Sequence, residues 1–294
     1  MADDALPEVA QTDIRKRAWR PELENSTPNL KVLLKPILFS LSMAGCYNFC
    51  EIGHHCTERK ARVSMILSIL YRILVLIVIL CYLAITVSEL IHKKGEQTSM
   101  LSLIITWCFS LIVTHLLFLK ATSSRYGHLK KSFSFWGENI VSQFEALQIE
   151  FPTLKLRRSI IVVVVIAWLI TAVNVAASVI QFQVTEPTLV LSPFGKSPST
   201  ISIYAILSAI LSTVWTIPAA FVILVTKIIY ETFSAYNDFV SKMCPKRDCK
   251  TADDCQRIRL LHLNICKLIQ EMDKDIGPFN TRYNILSKYT RCLC

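Results

Sequence analysis

Residues 159–185 read SIIVVVVIAWLITAVNVAASVIQFQVT, with no Asp, Glu, Lys or Arg among them. A helix needs roughly 20 mostly apolar residues to cross the hydrocarbon core of a bilayer. Buried helices of soluble proteins rarely stay uncharged over such a length. The apolar residues come as a solid block, not in alternation, which excludes a membrane β-barrel. Working outward, 197–226 is also uncharged and contains Pro218, 97–119 lacks all four charged residue types, and 63–88 carries one charge, Arg72. Four spans and an all-α, polytopic membrane helix bundle follow. A fifth apolar stretch, 30–50, is interrupted early by Lys35 and Pro36. Its clean part, 37–50, is short for a span and suits an interfacial helix.

The composition agrees. Of 294 residues, 52% are hydrophobic and 18% charged, against about 25% charged in soluble chains. Gly numbers only 7, which excludes collagen-like and linker-rich chains. The net charge of +10 would suggest nucleic acid in a soluble protein. Here it is placed asymmetrically. Arg59, Lys60 and Arg62, the basic residues of 120–158, and Lys242, Lys246 and Arg247 all fall on one side of the spans. Only Lys93, Lys94 and Lys196 fall on the other. The positive-inside rule therefore puts both termini and the middle loop in the cytosol, with no nucleic-acid partner. The expected layout is a cytosolic segment over 1–64 with the interfacial helix near 30–50. A four-helix transmembrane region over 65–229 follows, with a cytosolic helical loop at 120–158, and then a cytosolic helical tail over 230–294. The opening MADDALPEVAQTDIRKRAW has no apolar core of a secretory signal. The sequon Asn25-Ser26-Thr27 then lies in the cytosol as a chance match.

The 11 Cys avoid the two outer loops, so a disulfide framework is not expected. Cys244, Cys249 and Cys255, followed by His262 and Cys266, lack a CxxC knuckle, and His54-His55-Cys56 offers too few ligands at fixed spacing. No metal and no cofactor are expected. Cys292 and Cys294 form a bare terminal CxC, a weak lipidation signal. No P-loop, GxGxxG, GxSxG or HExxH occurs, and no carboxylate pair lies within the spans. The expectation is a protein with no catalytic residues.

The polar residues of the spans carry what remains. Arg72 and His115 sit near the inner ends of their spans; Arg72 is expected to snorkel to the interface or to pair within the bundle, and His115 to reach the interface. Asn174 lies deeper, and a carboxamide there should face the bundle or a wet cavity. Trp107, Tyr204 and Trp215 fall in outer halves, as belt residues or, together with Asn174, as the lining of an apolar-aromatic pocket. Pro218 is expected to kink its helix. In the cytosolic parts, Phe133, Trp136, Ile140, Phe144 and Leu147 mark one helix over 132–156. Ile258, Leu261, Ile265, Leu268, Met272 and Ile276 mark a second, stopped by Gly277-Pro278. Two such stripes must bury against each other, against another subunit or on a membrane surface.

The order of these parts resembles the insect-type gustatory receptor family of invertebrate seven-helix chemoreceptors. The likeness rests on LKPILFSLSMAGCYNF with Leu34, Pro36 and Gly45, on the long helical loop between spans two and three, and on RIRLLHLNICKLIQEMDKDIGPF with Arg259, His262 and Ile265. It extends over nearly the whole chain in layout, and its motifs are short. The resemblance implies a plasma-membrane subunit of a ligand-gated, nonselective cation channel, assembled as a tetramer. A small-molecule tastant or metabolite would enter a pocket around Trp107, Asn174, Tyr204 and Trp215. Ile258, Leu261, Ile265, Leu268 and Met272 would serve subunit assembly. The family's three further spans, the last lining the pore, have no counterpart here, so a truncated chain that does not conduct alone is expected. The rival expectations are a four-span membrane scaffold or auxiliary subunit, and a basic regulator that recruits anionic lipid.

Overall fold

A computed structural model describes residues 30–47, 58–92, 97–122, 128–184, 197–243 and 252–293. The described residues are helical and turn, without a strand. In chain order the helices are α1 (Leu30–Met43), α2 (Glu58–His92), α3 (Gln97–Thr122), α4 (His128–Phe135), a π-helical turn (Trp136–Val141), α5 (Ser142–Ala146), α6 (Thr153–Val184), α7 (Pro198–Met243) and α8 (Ala252–Leu293). Four of them, α2, α3, α6 and α7, are long and apolar enough to cross a bilayer. The sequon, the His54-His55-Cys56 run, Cys244 and Cys249 lie outside the described residues, as does Cys294.

α7 is the axis of the bundle. Leu211, Val214, Ile217, Phe221, Leu224, Val225 and Ile228 are all buried to 3% exposure or less, and 61% of its apolar window lies inside the chain. α6 packs on α7 along Ile160, Ala167, Thr171 and Phe182, yet only 17% of its apolar window is buried. Ile161, Val162, Val165, Ile166, Leu169, Ile170 and Val173 on its remaining sides are about half exposed. A continuous apolar face of that extent is compatible with lipid as its surroundings. At 1.5 Å per residue, 46-residue α7 is about 69 Å long, over twice the thickness of a hydrocarbon core. It runs through Pro218 without interruption.

The end of the bundle bearing Lys120, Lys155, Arg157 and Arg158 is its basic end. There the extension of α7 meets α8 and the π turn, and α4 and α5 add side chains to the same core. Trp136, Phe144, Tyr236, Leu261, Ile265, Leu268 and Met272 form one buried cluster, which also takes in Leu34, Ile37 and Leu41 of α1. Phe151 presents edge-on contacts to Trp136 at 5.4 Å and to Phe144 at 5.9 Å. Trp136 Nε1 donates to Thr232 Oγ1 at 3.4 Å, and Asn264 Nδ2 donates to Gln143 Oε1 at 3.2 Å.

Two expected boundaries move. The helix anticipated over 132–156 breaks after Ala146, where Gln148 takes a left-handed φ of 55°, and α6 starts at Thr153. In the second case α8 continues past Gly277-Pro278 to Leu293. Proline forfeits one hydrogen bond and strains a helix but does not always end it.

Candidate functional site

The four residues expected to line a pocket do not converge. Trp107 and Trp215 pack on one cluster of Val75, Ile79, Leu111, Leu211 and Val214, between α2, α3 and α7. Tyr204 stacks on Phe182 between α6 and α7, with centroids 4.7 Å apart and planes at 22°. Asn174 is exposed and does not face the bundle, the first of the two settings expected for it. The inward stripe of α6 places Thr171 at that level instead, and its hydroxyl pairs with Thr216 at 2.6 Å. Asn174 is three residues on, rotated off that stripe.

Polar groups do converge inside the basic half. α1 ends in a Schellman motif. Cys46 N donates to Leu41 O at 2.8 Å, Gly45 N donates to Ser42 O at 3.1 Å, and Gly45 adopts φ 71°. The turn is pressed into the bundle: a Cβ on Gly45 would lie 3.1 Å from Val75 Cγ2 and 3.5 Å from His115 Cε1. Tyr71 Oη donates to Met43 O at 2.6 Å, satisfying a last-turn carbonyl. Cys46 Sγ lies 3.7 Å from His115 Nδ1.

Arg72 and His115 lie inside the bundle, the second of the two settings expected for Arg72 and not the one expected for His115. Arg72 is 7% exposed and His115 fully buried. Their helix registers explain this. Arg72 continues the buried stripe Ser68, Val75, Ile79 of α2, and His115 continues Cys108, Leu111, Phe118 of α3. The Arg72 cation acts on the Cys46 thiol, beside the negative end of the α1 dipole. Burial pushes that thiol up to about 12, against a smaller opposing pull from Arg72. At neutral pH it is a protonated donor beside an imidazole, not a thiolate nucleophile.

The second polar site is a groove of about 590 Å³ between the α5–α6 connector and the extension of α7. Gln148, Ile149, Glu150, Pro152 and Lys155 face Glu231, Ser234, Ala235, Asp238, Phe239 and Lys242 across it. The Glu231 side chain is 5% exposed and accepts two ammonium groups, Lys227 Nζ at 2.7 Å and Lys155 Nζ at 3.1 Å, which ties the start of α6 to α7. Sequence reasoning missed this groove. Its one signal was Glu231, the first acid after the apolar run, four residues past Lys227.

Of the residues expected to serve assembly, Leu261, Ile265, Leu268 and Met272 are buried within the chain and Ile258 is half-buried against the same cluster. Cys266 Sγ lies 3.6 Å from His262 Nε2, and Cys255 is exposed. No group of three or more potential metal ligands occurs among the described residues. No family model, no curated protein and no solved structure matches the chain.

Proposed function

We propose that this chain is a chemosensory, gustatory-receptor-like membrane protein, with the basic end in the cytosol of the cell that carries it. It resembles a subunit of a ligand-gated cation channel. The single observation that carries the reading is α7. One unbroken helix bears Tyr204 and Trp215 in its outer half and Glu231, Thr232 and Tyr236 in the helical layer at the basic end. A small apolar ligand that shifts α7 at Trp215 shifts its contacts with the π-helical turn, through Thr232 and Trp136, and with α8 as well. The test is tryptophan fluorescence of the protein in lipid nanodiscs, titrated with sugars, bitter compounds and metabolites. A saturable change that is lost in Trp215→Phe and retained in Trp168→Phe supports the reading. A response that survives Trp215→Phe, or none across the series, counts against it.

A second reading has its own observation. Leu260 and Leu263, on the outer face of α8, are 49% and 54% exposed beside exposed Arg257 and Arg259. A four-span scaffold or auxiliary subunit would bind a partner helix there. Leu260→Asp with Leu263→Asp would abolish co-purification of that partner and leave tryptophan titrations unchanged.

A further inference from the structure

We infer that α6 carries the contact between two copies of this chain, a parallel two-fold interface centred on Asn174. The inference rests on α6 lying in a bilayer and not on the chemoreceptor reading.

Depth comes first. Asn174 lies sixteen residues past Arg158, the last charged residue of α6. That is about 24 Å along the axis, within a hydrocarbon core about 30 Å thick. The register with α7 agrees. Thr171 meets Thr216 and Phe182 meets Tyr204, so the two helices run antiparallel and Asn174 lies level with residues 212–213. Those residues stand beside the middle of the uncharged run 197–226. Asn174 is nonetheless exposed, and its carboxamide makes no hydrogen bond among the described residues. Lipid tails offer it none, and an unsatisfied amide in hydrocarbon is costly.

The surrounding face comes second. One turn to either side of Asn174, on the same flank of α6, stand Ile170 and Ala177, both exposed. A flank of that kind is not the wall of a wet cavity. It holds no charge, since 159–185 has none, so it calls for no ionic partner. Ala177 lets a second backbone come close, as small residues do where membrane helices pack. Leu261, Ile265, Leu268 and Met272 are buried within the chain and leave assembly to another face. A second copy is the occupant that fits. A carboxamide is donor and acceptor at once, and copies threaded alike hold each residue at the same depth. About a two-fold axis along the membrane normal, Asn174 of one copy meets Asn174 of the other, and each satisfies the other.

The experiment uses the full chain in liposomes. Retention in the membrane pellet through alkaline carbonate checks the bilayer reading separately, and release overturns that reading and the interface with it. The photo-crosslinker p-benzoylphenylalanine replaces Ile170, or Val165, which is nine residues from Asn174 and so half a turn round the helix. Illumination should join two copies from Ile170, with the crosslink located in α6 by mass spectrometry, and should attach Val165 to lipid. Dimerisation is then read by energy transfer between copies labelled at the N-terminus as lipid is added. Asn174→Leu should weaken it about threefold to tenfold, and Asn174→Gln should keep most of it, with thermal midpoints unchanged in both. Crosslinks from Ile170 to lipid or to another polypeptide alone overturn the inference. So do equal dimer yields from Ile170 and Val165, or association indifferent to Asn174→Leu.

Discussion

α1 and α5 end in the same backbone device and meet opposite surroundings. In each, the amide three residues past the helix reaches back to the carbonyl five residues earlier: Cys46 to Leu41, and Ile149 to Phe144, both at 2.8 Å. In each, the residue before it turns left-handed, Gly45 at φ 71° and Gln148 at φ 55°. The first turn is buried against Val75 and His115, where a side chain has no room. The second borders an open groove, so a side chain is tolerated even at a backbone angle that penalises it. Surroundings, not the hydrogen-bond pattern, decide whether glycine is obligatory.

The largest expected effect removes the apolar contact beneath one of the turns. Phe144→Ala should cost about 3–5 kcal/mol in thermal or denaturant unfolding, since the ring is 2% exposed and packs edge-on with Phe151. Gly45→Ala should cost about 2–4 kcal/mol, the sum of left-handed strain and overpacking against Val75. An unchanged midpoint for that variant would mean the turn can back away from α2. Tyr71→Phe removes the hydrogen bond to Met43 O and should cost about 0.5–1.5 kcal/mol. Gln148→Gly has the opposite sign. It relieves a left-handed non-glycine residue and should raise stability by up to about 1 kcal/mol, read as a higher midpoint in detergent. A loss of stability there would show that the Gln148 side chain holds the connector in place.

How much of this was legible in the sequence differs from helix to helix. Four long apolar helices were readable because length and absence of charge suffice. The burial of the 258–272 stripe was readable too, since charges between its apolar positions expose the period. Which side of α2 or α6 faces inward was not. Nearly every position there is apolar, so no periodic contrast distinguishes Thr171 from Asn174, or marks Arg72 and His115 as interior. The groove was illegible for another reason. It joins residues of 148–155 to residues of 231–242, and only the docking of a connector on a distant helix creates it.

α7 is one continuous helix from Pro198 to Met243, with Pro218 inside it. A rod of that kind passes on torsion. On a helix about 10–12 Å across, a turn of about 20° about its axis sweeps side-chain tips through about 2 Å. Twisting at the level of Trp215 would therefore drag Glu231, with Lys227 riding on the same helix, against Lys155 of α6, and Thr232 against Trp136.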